Sequence, residues 1–318
     1  MTGERESVEA SAGGSTGGRS SLRRLVRTAG NPYLLLALAS LFWSGNHVLG
    51  RAIAGHVPPF AISTIRWLVP ALLLWPFARP HLARDWPLIK RHRAVLLLLG
   101  LTGGTIFTAL QYIGLQYTTA VNVSVLNSLA PVFIIAIGAA LFGDRLAGLQ
   151  LVGIVTSLCG VLVIIARADV ATLAHLQFNW GDIIIVVNMA VAAVYATCLR
   201  LRPRIHWLSF LFVLAVISSV GTLPFWFWEL LSGQMLQPTL LTFLTLVYVS
   251  LFPSIVSYAA WNRGIELIGA NRSGPFLHLI PLYSAVLATT FLGESLMIYH
   301  VLGFVLILAG VWFASRRA

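Results

Sequence analysis

The sequence predicts an all-α integral membrane protein: ten transmembrane helices arranged as two inverted five-helix repeats. Three observations predict this class, namely an apolar composition, an internal duplication and loop bases gathered on one side of the membrane. Apolar residues make up 58% of the 318 and charged residues only 10%, with a mean hydropathy of +0.86. A soluble domain carries about 25% charged residues. A chain this apolar cannot cover itself with polar surface, so bilayer thickness sets its element lengths at about 20 residues each. The net charge of +11 would point to nucleic acid in a soluble protein. Here the bases lie in short loops, so the lipid bilayer is the expected partner and nucleic acid is not.

The duplication is read by sliding the chain against itself. At an offset of about 150 positions, Ala109–Val161 falls on Ala259–Val311 without a gap. Gly114 meets Gly264, Ala120 meets Ala270, Leu129 meets Leu279 and Pro131 meets Pro281; the register holds through Gly143 with Gly293, Gly153 with Gly303, and Gly160 with Gly310. An acid follows the glycine in both copies, as Asp144 and as Glu294. Glycine and proline set close approach and kinks, so their coincidence marks a duplicated structural unit.

In chain order, residues 1–31 are Gly/Ser-rich and too poor in apolar surface to fold, which predicts a disordered tail. Spans are expected at Tyr33–Gly55, Val57–Ala78, Ala94–Gln116, Thr119–Phe142 and Leu146–Ala166, so the first repeat covers 32–167. A linker, 168–180, precedes the second repeat at 181–318, with spans at Gly181–Leu199, Trp207–Leu231, Leu240–Trp261, Ala270–Leu292 and Ser295–Ala314. Five spans per copy is an odd number, which forces the second copy into the bilayer upside down. With the N-terminus inside, eighteen Lys and Arg fall in the tail and inner loops, against only Arg51 and Arg167 in the outer ones. The positive-inside rule then places both termini in the cytoplasm and the linker outside, with the bacterial inner (plasma) membrane as the location.

Polar residues at depth are the candidate solute contacts. Arg66 lies about nine residues into the second span, about 14 Å along the axis, too deep to reach water by extending its side chain. A centrally placed arginine costs about 2.5–3.5 kcal/mol on insertion scales, so it serves either as a structural partner for carbonyls or as an attractor of an anionic group. His47 follows Trp43 and Asn46 in the first span; His278 shares a helical face with Asn271 and Pro281 in the ninth. Asn127 and Ser128 precede Pro131 at the matching place in the fourth span. Prolines there release backbone carbonyls at mid-depth, which is tolerated only beside protein or a watered cavity. Gln111, Tyr195 and Trp261 join the candidate set, with Tyr112, Asn188, Tyr258 and Asn262 behind them. Buried histidines are more often core residues, and aromatics at span ends are more often interfacial anchors, so these readings compete with plainer ones. Gly153 with Gly160 and Gly303 with Gly310 are seven apart, on one face each. Helix packing is the favoured explanation for them, with a homo-oligomer interface as the alternative.

Some chemistry is not indicated. Asp182 and Glu229 sit at span ends, which argues against carboxylate-based proton coupling, although His47 or His278 could carry a proton. Cys159 and Cys198 form no metal-ligand spacing, and no phosphate loop, H-E-x-x-H or G-x-S-x-G motif occurs. Neither a metal, a cofactor nor an enzymatic activity is expected.

Several segments carry a family resemblance. They are Trp43-Ser44-Gly45-Asn46, Pro58-Pro59 through Arg66-Trp67, and Tyr112 with Gly114-Leu115 and Tyr117-Thr118. Asn127 with Leu129 and Pro131, Gly143-Asp144 with Leu146, and the echo Gly293-Glu294 with Leu296 complete them. Across residues 33 to 315 the chain resembles the drug/metabolite transporter superfamily, specifically a ten-span member with two EamA-type repeats. The resemblance implies a solute path between the halves, with the fifth and tenth spans as outer supports. It also implies export of amino acids or other small metabolites by alternating access. The Trp43-Ser44 region has only a blurred echo around Ala192–Tyr195. A metabolite importer of the same fold, a membrane-embedded enzyme and a scaffold without a solute path are the rival readings.

Overall fold

The computed structural model describes residues 31–143, 148–167, 179–268 and 274–315. The tail and most of the linker, together with Asp144, Asn271 and Arg272, lie outside the described residues. Helix α1 (Pro32–Ala52) opens on Asn31, whose side chain accepts from the Tyr33 and Leu34 amides at 3.0 and 3.4 Å. Helix α2 (Pro59–Arg91) has 33 residues and carries Pro70, Pro76, Pro80 and Pro87 inside it. It overruns the expected Val57–Ala78. At about 1.5 Å per residue it is about 50 Å long against a hydrocarbon core of about 30 Å. Arg79, Arg84, Lys90 and Arg91, expected in a loop, therefore ride on the protruding end of a helix.

Helix α3 (Arg93–Tyr117) passes through a π-helical turn at Leu101–Thr105. The fourth span is broken into α4 (Ala120–Asn127) and α5 (Ala130–Phe142), bent by 41°. Helices α6 (Gly148–Ile165), α7 (Trp180–Cys198) and α8 (Trp207–Leu231) follow. Helix α9 runs from Leu240–Leu251 through a second π turn, Phe252–Val256, into Ser257–Ile268. A 3₁₀ turn at Gly274–His278 leads into α10 (Leu279–Leu292), and α11 (Ile298–Ser315) closes the described chain. Six of these helices are long and apolar enough to cross a membrane, a seventh if the bent pair α4–α5 is one span, and three apolar helices are shorter.

The irregularities fall at equivalent places in the two copies. The π turn of α3 lies 151 residues before that of α9. Pro131 and Pro281 each stand in the first turn after a break, where a missing N–H costs nothing and the fixed φ suits a helix start. Gly143 and Gly293 end α5 and α10 with φ of +67° and +66°, the left-handed cap that glycine adopts without strain.

Packing follows the same exchange. Helix α1 packs on α9 and α10, just as α7 packs on α3 and α5; α2 lies along α8, and α6 along α11. Exchanging the two copies maps this pattern onto itself, as a two-fold axis would. The copies also run in opposite directions. Gly264 packs against Leu36 at the start of α1, whereas Arg51 at its end donates to the Leu115 and Gln116 carbonyls beside Gly114, at 2.8 and 3.0 Å. Helices α6 and α11 meet through their glycines. A Cβ on Gly160 would stand 2.7 Å from the Gly303 carbonyl, and one on Gly310 would stand 2.5 Å from that of Gly153. These glycines are spent on packing within the chain.

Acids hold helix starts. Glu229 on α8 accepts from the Phe60 and Ala61 amides of α2 at 2.9 Å each, and Asp85 on α2 accepts from the His206 amide before α8 at 2.9 Å. Glu294 does the same for Ala120 and Val121 at 2.9 and 3.0 Å. Asp182 and Glu229 do sit at helix ends, but both are buried, because those ends lie inside the bundle.

Candidate functional site

The two halves enclose a cavity of about 240 Å³. Helix α1 supplies Trp43, Asn46 and His47; α2 supplies Arg66; α3 supplies Phe107 and Gln111. The broken fourth span contributes Ser124, Asn127, Ser128 and Pro131. From the second half come Met189 and Ala192 on α7, Tyr258 on α9, and Leu277, His278 and Ile280 around the second break. Eight of the ten sequence-predicted contacts thus share one cavity, and Pro131 lines it too. Asn127 and Ser128, at the α4–α5 break, are among its lining residues.

Arg66 is 4% exposed and sits on the buried face of α2 with Ser63, Trp67 and Pro70. Its Nε donates to Ser254 Oγ at 3.0 Å; Nη1 donates to Tyr112 Oη at 3.3 Å and lies 3.4 Å from Asn46 Oδ1. Tyr112 Oη in turn donates to Asn46 Oδ1 at 2.7 Å. The guanidinium lies 5.7 Å and 5.9 Å from the Trp67 and Tyr112 ring centres. Nη2 has no partner among the described residues, and no carboxylate lines the cavity. Arg66 is thus a desolvated cation, held in place by neutral groups, with one nitrogen left for an anion.

His47 is fixed on the same wall. Its Nε2 lies 3.1 Å from Asn127 Nδ2 and its Nδ1 lies 2.9 Å from Ser124 Oγ, whose hydroxyl donates to the Ala120 carbonyl at 2.8 Å. These two contacts fix the orientation of the imidazole. Gln111 accepts from Asn188 Nδ2 at 3.0 Å; its own Nε2, like Asn127 Oδ1, is buried without a partner. These amides and Arg66 are what a polar solute could satisfy.

Tyr195 and Trp261, also predicted, stand elsewhere. They line a second cavity of about 330 Å³ with Arg202, Trp207, Phe210 and Asn262. The two cavities share Trp43, Tyr258 and Leu277 as a wall. Trp261, half-buried, packs on Trp43 at 5.4 Å. Tyr112, weighed as an interfacial anchor, is buried in the Arg66 network. Sequence reasoning missed Ser124 and Ser254. The signal for Ser254 was Pro253 before it in mid-span: proline has no N–H for the Val249 carbonyl, which accepts from Ser254 Oγ at 2.8 Å instead, and the Pro253 carbonyl accepts from Trp43 Nε1 at 3.1 Å.

A separate polar cluster ties α4, α7 and α11 together. Thr118 Oγ1 donates to Asp182 Oδ1, and Asn122 Nδ2 lies 3.1 and 3.2 Å from the two carboxylate oxygens. His300 Nε2 donates to Asn122 Oδ1 at 2.8 Å, its Nδ1 being occupied by the Met297 amide at 2.9 Å.

Internal repeats, breaks at equivalent positions in the two copies and a cavity walled by both halves, with polar side chains on an apolar lining, point to a polytopic α-helical membrane carrier. The EamA-like transporter family model matches residues 31–166 and 179–316, and the chain belongs to that family. It is therefore a membrane transporter of the drug/metabolite transporter type. It is 26% identical to the "Uncharacterized transporter YetK" of Bacillus subtilis over 91% of this chain and 88% of that protein. It is 25% identical to a "Probable terminal-alkyne amino-acid exporter" of Streptantibioticus cattleyicolor over 75% of this chain and 76% of that one. A solved crystal structure with 19% identity superposes with a TM-score of 0.57, covering 89% of this chain and 96% of that one. This likeness concerns the fold alone.

Proposed function

We propose that the protein exports small organic solutes bearing a carboxylate, amino acids or related amphipathic acids, by alternating access between two inverted five-span repeats. It works in the plasma membrane with both termini cytoplasmic, and it needs no covalent chemistry or cofactor. The observation that carries this reading is Arg66, a buried cation that lines a cavity walled by both repeats and whose Nη2 has no hydrogen-bond partner among the described residues. A carboxylate there would answer the unpaired charge, while Trp43, Phe107 and Tyr258 would cover an apolar body. Amides of Asn46, Gln111 and Asn127 and the imidazoles of His47 and His278 supply further polar contacts. The relative named as an amino-acid exporter supports the solute class.

In this reading the solute path runs from the inner cavity through cavity two, which Arg202 and Trp207 line on the base-rich side, and the Asp182–Asn122–His300 cluster bars the other end. Rocking of the halves would reverse this. A solute drives that change only through differential affinity for the two states.

Proteoliposomes loaded with labelled amino acids and organic acids test the reading. Transport of at least one carboxylate, lost in Arg66→Ala and reduced in Asn127→Ala and His278→Ala, is the expected result. Wild-type transport in all three variants would remove the site assignment. Overexpressing cells should tolerate a toxic solute analogue better than controls; greater sensitivity would mean import.

A further inference from the structure

We propose that the second cavity is a loading subsite. There a carboxylate with an aromatic or aliphatic body is held by Arg202 and surrounding rings before passing Trp43 and Tyr258 into the inner cavity. This rests on the reading of Arg66 as a carboxylate site.

The second cavity, about 330 Å³, is larger than the inner one, about 240 Å³, and each has its own cation. The Arg202 guanidinium lies 4.8 Å from the Phe210 ring centre and has no hydrogen-bond or carboxylate partner among the described residues. Stacking on an aromatic face holds a guanidinium while leaving its edge donors free. Trp207, Trp261 and Tyr195 supply flat apolar walls and Asn262 an amide. Like the inner cavity, it is lined by one arginine and several aromatics with no acid among the described residues, but it has one amide where the inner cavity has three amides and two imidazoles.

The partition between them is built to move. Trp43 is tied at one polar atom, Nε1, to the Pro253 carbonyl within the π turn. Tyr258 meets Trp43 edge-on at 6.0 Å and Trp67 at 6.4 Å, and its hydroxyl has no hydrogen-bond partner among the described residues. Rotating Tyr258 therefore breaks no hydrogen bond and joins two spaces that already share its wall. Because Arg202 is solvent-exposed and Arg66 is buried, the outer hold is weaker than the inner one, which draws the solute inward.

The test uses the whole protein labelled with 5-fluorotryptophan in nanodiscs, with the Trp207 and Trp261 fluorine resonances assigned through Trp→Phe variants. Indole-3-acetate is the probe and uncharged indole the control. Indole-3-acetate should move both resonances equally in wild type and in Arg66→Met. Arg202→Gln should weaken that response about twofold to fivefold, the worth of an exposed ion pair. No movement in wild type, or a response lost in Arg66→Met and kept in Arg202→Gln, would overturn the subsite. For a solute whose uptake requires Arg66, Arg202→Gln should raise KM and leave the saturated rate unchanged. Failure of the Arg66 reading would leave the fluorine result standing, so the two ideas fail separately.

Discussion

Replacing Arg66 by methionine separates a solute contact from a structural role. Methionine keeps much of the side-chain volume and removes the charge. Asn46 Oδ1 keeps its 2.7 Å bond from Tyr112, and Ser254 Oγ keeps its bond to the Val249 carbonyl at 2.8 Å, so no neighbour is stranded. No carboxylate partner among the described residues is abandoned either. Removing a buried cation without a counter-ion is therefore expected to leave thermal stability unchanged or raised. The effect on transport has the opposite sign. A charge-assisted hydrogen bond from Nη2 to a carboxylate is worth about 1.5–3 kcal/mol, which is about 10-fold to 150-fold in affinity. Arg66→Lys keeps the charge but loses the fork, and should fall between methionine and wild type. The assay pairs initial uptake rates in proteoliposomes with thermal unfolding of the same preparation. Wild-type KM and rate in Arg66→Met would refute the reasoning. So would a variant that retains transport per folded molecule but melts many degrees lower, since arginine would then be a structural strut.

Other outcomes follow from the packing. Gly310→Val should drive its side chain into the Gly153 carbonyl and Ser157, costing about 1–3 kcal/mol, seen as a lower melting temperature. Glu229→Ala removes the acceptor for two α2 amides and should cost about 0.5–2 kcal/mol; Glu229→Gln, which keeps one acceptor, should cost less in the same melt. In a background lacking Cys159 and Cys198, an impermeant thiol reagent applied to intact cells should label Tyr117→Cys and spare Leu267→Cys. Labelling of both would contradict antiparallel repeats.

Much of the site could be read before any coordinates, for a physical reason. Polar residues in lipid are costly, so Asn46, His47, Arg66, Asn127 and His278 stood out against an apolar background and pointed to one place. Pro131 and Pro281 marked breaks because proline acts on its own backbone. What escaped notice lacked such contrast. Ser124 and Ser254 are cheap in any helix, since a serine can bond to its own preceding turn, as both do here. The length of α2 was hidden because prolines and arginines after Ala78 read as a loop, although each proline is tolerated within the continuing helix.

The sequence by itself determined the membrane class, the duplication and the placement of polar residues within apolar segments. Each of these is a property of composition or spacing along one chain, so no partner needs to be known. Tertiary structure decided which of those residues meet. It separated Tyr195 and Trp261 from the other eight, drew Tyr112 into the Arg66 network and spent the paired glycines on α6 against α11. Those outcomes depend on the rotation and crossing of helices distant in sequence, which no local pattern encodes.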